Sequence, residues 1–470
     1  MNRAGTVLVR GGTVVSAEGM YAADVLVRSQ SVAVVGRDLD VTADDEIDAR
    51  GCLVLPGGID AHTHMDFAPG AFRTSDTFTS GTAAAALGGT TCILDFALQK
   101  RGHPLVAGIE ERLLDLRRHP PLTDVGLHLI IRERPDGDLE GQIREVLAAG
   151  ACDFKLYLAH RAVMIDDEFV YELMRLFAKL GVMPLVHAEN GHVVHSRREH
   201  LAAEGRTLPR HHAESRPVPV ELDAVVRVIQ MCRMTGSEAY LVHLSSAEAV
   251  SAVAQARAAG VQVHGETCMQ YLTMDESDLG ADDAWQIIFS PPPRGVHDRA
   301  ALWAGLASGS VATVASDHSP YLRAEKGAGH HADFRTVPNG IAGVQERLPL
   351  LYEQGVVSGR LSWPRLVDVF SATPARLFGL PSKGAIVPGA DADIVVFDPT
   401  QRVTLGVDWS ASLSDFSAYE GVTCSGTPKD VLVRGHVVVR DGALSGAAGV
   451  GRFVPRSRRN PANEGANRDA

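Results

Sequence analysis

The chain has 470 residues, 45% hydrophobic and 22% charged, more than one simple core usually holds and typical of a soluble globular protein. Its net charge of −12, with no basic stripe, argues against a nucleic-acid surface. The absence of any apolar run of 18 residues argues against a membrane span.

Residues 6–10, 12–15, 23–27 and 31–35 read as short β segments punctuated by Gly, Asp and Ser. No apolar leader precedes them, and the six cysteines never form a Cys-x-x-Cys pair, so buried reduced thiols in a cytoplasmic protein are expected. A further apolar piece, 53–55, leads through Gly57-Gly58 into His62-Thr63-His64. Residues two apart on a strand face the same side, so this pair aims two imidazoles into one small volume. With 19 histidines in the chain, one such pair is also expected by chance.

From residue 56 the rhythm becomes strand, loop, helix. Strands are expected at 91–96, 126–131, 153–158, 184–187, 239–243, 261–264 and 312–317. Between them, Val170, Leu173, Met174 and Phe177 fall on one helical face, and 220–235 and 247–259 read as helices stopped by Gly236 and Gly260. With the opening strand this makes eight, the count and order of a (β/α)8 TIM barrel over 56–382. β segments return at 384–387, 392–397, 430–434 and 435–439. The expected architecture is therefore α/β: the barrel, plus a small β-sandwich built from both chain ends (1–55 and 383–444). A tail, 445–470, rich in Gly, Arg and Asn, is read as flexible or as a subunit contact.

Barrel enzymes keep their chemistry at the C-terminal ends of the strands. Here those ends carry His62 and His64, Lys155, His187, His243 and Asp317. Singly, each has an ordinary alternative: His187 could cap its strand, and Asp317 could be an Asx-turn residue. All six on one barrel face are hard to obtain by accident. Lys155 is the odd member, because an ammonium repels metal cations. A lysine amine converted to a carbamate would instead offer two oxygens and could bridge two metals.

Asp153-Phe154-Lys155-Leu156-Tyr157-Leu158-Ala159, Val186-His187-Ala188-Glu189-Asn190-Gly191 and Val242-His243-Leu244-Ser245-Ser246 resemble the ligand strands of the dihydropyrimidinase/hydantoinase group of cyclic amidohydrolases. Glu266-Thr267-Cys268-Met269-Gln270-Tyr271-Leu272, Ser290-Pro291-Pro292-Pro293-Arg294 and Val337-Pro338-Asn339-Gly340 are similar to that group's substrate-side segments, and 384–393 to its return into the sandwich. The resemblance implies two zinc ions, one held by His62, His64 and Asp317, the other by His187 and His243, with carboxylated Lys155 bridging them. It implies a metal-bridging hydroxide that opens a small cyclic imide or ureide to an N-carbamoyl amino acid. Asp317 would serve as general acid and base, and the backbones of Ser290 and Asn339 would hold the imide edge. It also implies a homotetramer or homodimer. Many relatives carry a Tyr at the place occupied here by His160, so His160 is expected to take over that contact with the substrate carbonyl, or else to be plain loop surface. Allantoinase- or dihydroorotase-like hydrolysis and a non-enzymatic interaction protein are the alternatives. Residues 322–336 read as a lid or plain surface, and His330-His331 as solvated.

Overall fold

A computed structural model of the chain describes residues 5–327, 333–446 and 449–457. Its centre is an eight-stranded sheet whose strands follow one another in chain order. These strands are Gly58–Thr63, Thr90–Leu98, Asp124–Ile130, Asp153–Tyr157, Met183–His187, Ala239–Leu241, Val263–Cys268 and Thr313–Ala315. Neighbours pair in parallel, and a bridge between Thr63 and His318 joins the last strand's exit to the first. Parallel strands are covered on both faces, so they read in sequence as unbroken apolar runs; all seven residues of Asp124–Ile130 are buried. This is the (β/α)8 barrel.

The helices between the strands follow from local chemistry. Asp167–Leu180 starts where the Asp166 side chain accepts from the Phe169 amide and ends at Gly181, whose φ of +67° suits glycine. Val170, Leu173, Met174 and Phe177 form its buried stripe. Val218–Thr235 ends at Gly236 in the same left-handed conformation, as the sequence predicts. Among the described residues, no helix is long and apolar enough to cross a membrane, and all six cysteines are buried free thiols.

Both chain ends meet in a second, nine-stranded sheet. The segments expected at 6–10 and 12–15 are one strand, Thr6–Val15, with a register shift between Val9 and Gly12. An unanticipated strand, Asp45–Asp48, pairs in parallel with it. C-terminal Ile394–Asp398 pairs with N-terminal Leu53–Pro56, which stitches the ends together. The strand expected at 384–387 is instead a turn: Gly384 and Gly389 sit at φ of +81° and +91°, and Ile386 is buried without ladder pairing.

A buried charge network fastens this sheet to the barrel. Lys383 Nζ lies 2.8 Å from Asp124, 2.6 Å from Asp393 and 3.0 Å from Asp391, and Arg434 lies 3.1 Å from Asp124. Part of the supposed flexible tail is fixed in place. The Val125 amide donates to Arg452, the Val454 amide donates back to Val125, and buried Arg456 pairs with Asp153 at 2.5 Å. Gly451 passes so close to Thr123 that a Cβ would sit 2.0 Å from its carbonyl oxygen. Residues 458–470 of that tail lie outside the described residues.

Candidate metal centre and substrate pocket

His62 and His64 leave the first strand on the same side, as their spacing requires. Asp317, two residues past the eighth strand, brings Oδ1 to 3.3 Å from His62 Nε2 and 3.2 Å from His64 Nε2. Burial pushes the Asp317 carboxyl up, but His62, His64 and Lys155 outweigh it and hold it at about 2. Lys155 is fully buried on the fourth strand, its Nζ 3.5 Å from His62 Nε2. Burial pulls its amine down to about 8 in spite of Glu266 and Asp317. The His187 and His243 rings meet at 4.5 Å between centroids, and His243 stacks on His62 at 5.6 Å. His160 packs edge-on against His187 at 4.8 Å. His160, His243 and Asp317 adopt positive φ (64°, 41° and 50°), a costly conformation that concentrates where side chains must be aimed.

A layer of carboxylates beneath orients these rings. Glu266 Oε1 lies 2.8 Å from His62 Nδ1 and accepts the His243 amide at 3.1 Å; Tyr240 donates to its other oxygen at 2.9 Å. The segment beginning at Glu266 was expected on the substrate side, but its carboxylate braces the histidines instead. Burial raises Glu266 to about 7. His187 Nε2 is 2.7 Å from Glu189, which in turn pairs with buried Arg216. Burial works to raise the Glu189 carboxyl, yet Arg216 and His187 hold it below the ordinary range. Asp95 accepts from the Thr63 hydroxyl at 3.0 Å and the Met65 amide at 2.8 Å, with Arg112 behind it. Glu189 was legible in principle, two residues beyond His187; Arg216 and Asp95 carry no local signal.

The donor set fits metal ions. His62 spends Nδ1 on Glu266 and His187 spends Nε2 on Glu189, so the opposite nitrogen of each is left for the centre. Buried His64 Nδ1 and His243 Nδ1 have no hydrogen-bond partner among the described residues. Ligand atoms of His62, His64 and Asp317 lie within 4.8 Å of one another. A carboxylate cluster elsewhere, Asp124, Asp391 and Asp393, is already occupied by the ammonium of Lys383, with Arg434 on Asp124.

Above the histidines opens a cavity of about 250 Å³. Besides His62, His64, His187, His243 and Asp317 it is lined by His160, Ser290 and Asn339, so every expected site residue but Lys155, which lies below the floor, faces it. The Ser290 hydroxyl donates to Asn339 Oδ1 at 2.6 Å, tying together the two segments expected to meet the substrate. The rim is apolar, with Phe67, Phe72, Val163, Phe289 and Pro338, and no Lys or Arg lines it among the described residues. In the loop read as a lid, Lys326 is buried and donates to the Gln286 and Ile288 carbonyls at 3.2 and 3.0 Å. That part is therefore pinned to the segment leading into Ser290; Gly329 and His330-His331 lie outside the described residues.

The Amidohydrolase family pattern matches residues 53–438. The D-hydantoinase of Geobacillus stearothermophilus is 39% identical over 458 residues, spanning 96% of this chain and 97% of that one. The D-phenylhydantoinase of Escherichia coli O1:K1 is 38% identical over 454 residues, 96% and 98% of the two chains. The crystal structure of the dihydropyrimidinase of Brevibacillus agri NCHU1002 superposes with a TM-score of 0.94 at 38% identity, covering 97% of this chain and 100% of that one. The chain belongs to the amidohydrolase family, in its dihydropyrimidinase and hydantoinase branch.

Proposed function

We propose that the protein is a metal-dependent hydrolase that opens a hydantoin or dihydropyrimidine ring to an N-carbamoyl amino acid. The observation that carries this is the convergence of four histidines and one aspartate on the floor of a cavity whose wall holds Ser290 and Asn339, with buried Lys155 against His62 beneath that floor. His62, His64 and Asp317 would hold one zinc ion and His187 and His243 a second, with carboxylated Lys155 between them. When bound, the metals supply Lewis acidity toward the ring carbonyl and an acidified water. Asp317, ionised and hydrogen-bonded in place, takes the proton of the attacking water and returns it to the ring nitrogen as the C–N bond breaks. Ser290 and Asn339 hold the imide edge so that the reacting carbonyl faces the histidine floor.

His160 stands at the cavity wall beside His187. Burial and the neighbouring His187 keep its imidazole well below the ordinary histidine range, so it is neutral at working pH and can donate one hydrogen bond to the carbonyl oxygen. The apolar, cation-free rim supports a ring bearing an uncharged apolar substituent and speaks against dihydroorotate, whose carboxylate would find no partner there. The expected homotetramer or homodimer is measured directly by light scattering, and the expected cytoplasmic location by cell fractionation. Removal of metal with a chelator tests the reading of the site: ring opening is lost with the metal and returns with zinc, and activity that survives complete metal removal would overturn it.

A further inference from the structure

Residues 188–221, the excursion between the fifth and sixth barrel strands, brace the site on two sides. Through Glu189 and Arg216 they hold His187. Through the short helix His211–Ser215 they reach the opposite wall: buried His212 places Nε2 2.8 Å from the Phe289 carbonyl oxygen. A carbonyl only accepts, so Nε2 carries the hydrogen and the tautomer is fixed by its partner. Burial and Arg216 pull this imidazole down to about 3, so it stays a neutral donor across the working range.

The peptide joining Phe289 to Ser290 is trans, and in a trans peptide the C=O and N–H point to opposite sides. Phe289 and Ser290 line the cavity, whereas His212 does not. A carbonyl turned outward to His212 therefore turns the Ser290 N–H toward the cavity. The Ser290 hydroxyl donates to Asn339 Oδ1 at 2.6 Å and lies 3.5 Å from His212 Nε2, so this residue meets a ligand through its backbone, the N–H on the cavity side.

We propose that His212 is a positioning residue for the substrate: it sets the Phe289–Ser290 peptide plane so that the Ser290 N–H donates to the ring's non-reacting imide carbonyl oxygen. This rests on the reading of the cavity as a cyclic-imide site. His212 does not contact the metal-ligand set, so its loss falls on substrate binding. One uniform hydrogen bond lost from both ground and transition states raises KM about five- to tenfold and leaves kcat nearly unchanged.

The experiment compares wild type, His212→Gln and His212→Leu, zinc-loaded, in hydantoin ring opening, with metal content measured in each. Leu should raise KM about five- to tenfold at similar kcat and full metal content. Gln, whose amide nitrogen reaches the same carbonyl, should keep the wild-type KM. Equal KM values for Gln and Leu, or a fall in kcat and metal content at constant KM, overturn the proposal. If Leu does not fold, His212→Asn, too short for the contact, carries the Leu expectation, and a wild-type KM in Asn overturns it. A wild-type enzyme that opens no ring removes the functional reading itself; an active wild type with an unchanged Leu variant removes the His212 role alone.

Discussion

Lys155→Ala is the sharpest probe of the metal centre. The wild-type amine is fully buried and 3.5 Å from His62 Nε2, where an ammonium would repel any cation held by His62. Burial lowers its pKa from 10.5 to about 8. Near neutral pH that raises the uncharged fraction about 300-fold over an exposed lysine. An uncharged amine adds carbon dioxide, forming an N–C bond and releasing a proton, and the product is an anion with two oxygens. The Ala variant could not form that anion, and the two histidine groups would lack the proposed bridge. Ring-opening kcat/KM should fall about 10³-fold or more, with metal content reduced. Acetate or propionate, entering the vacated space, should restore part of both. Metal analysis and a ring-opening assay with and without carboxylate read this out, alongside ¹³C NMR of wild type grown with labelled bicarbonate. An Ala variant with full metal content and wild-type rate would refute the reasoning.

Asp317→Asn would remove the proposed proton carrier and a proposed metal ligand together, so kcat/KM should drop about 10³-fold or more; a loss below tenfold contradicts the assignment. His160→Ala should cost about 10²-fold if His160 donates to the carbonyl oxygen, and an unchanged kcat/KM would assign it to loop surface. Arg216→Met leaves Glu189 buried without its cation, and metal affinity should weaken about 10- to 100-fold by competition with a chelator. Lys383→Met strips the counter-charge from Asp124 and Asp393, costing about 3–5 kcal/mol and lowering the urea midpoint; an unmoved midpoint rules out this link between sheet and barrel. For pH, His212 is held at about 3 against an ordinary 6.5. The unfolded chain therefore binds its proton first, and this residue's contribution to stability is intact above pH 6.5 and lost as pH falls from 6.5 toward 3. His212→Gln, which cannot titrate, should flatten that part of the acid-unfolding curve.

The barrel was legible because parallel strands covered on both faces leave continuous apolar runs, and because their polar terminal residues fall at the C-terminal ends. His62, His64, Lys155, His187, His243 and Asp317 stood out for that reason. Apart from Glu189, two residues beyond His187, the supporting layer was not legible, since its partners are distant in sequence: Arg216 answers Glu189 from 27 residues away, and Glu266 answers His62 from 204. The turn at 384–387 misled because Ile386 buries its side chain without joining a ladder. The arm at 449–457 misled because a polar, Gly-rich composition hides a single buried arginine, Arg456, which is fixed by partners distant in sequence: Asp153 and the Leu127 and Phe378 carbonyls. His160 was found by counting from Lys155, and its position at the cavity wall is what gives that count its interest.

The most direct measurement is a substrate panel on zinc-loaded protein: dihydrouracil, hydantoin, apolar 5-substituted hydantoins of each hand, allantoin and dihydroorotate, each followed by appearance of its ring-opened acid. The account predicts metal-dependent opening of the hydantoin or dihydropyrimidine rings, best with an apolar substituent, and little or none of dihydroorotate. A fully metal-loaded protein that opens none of them, or that prefers dihydroorotate, would contradict it.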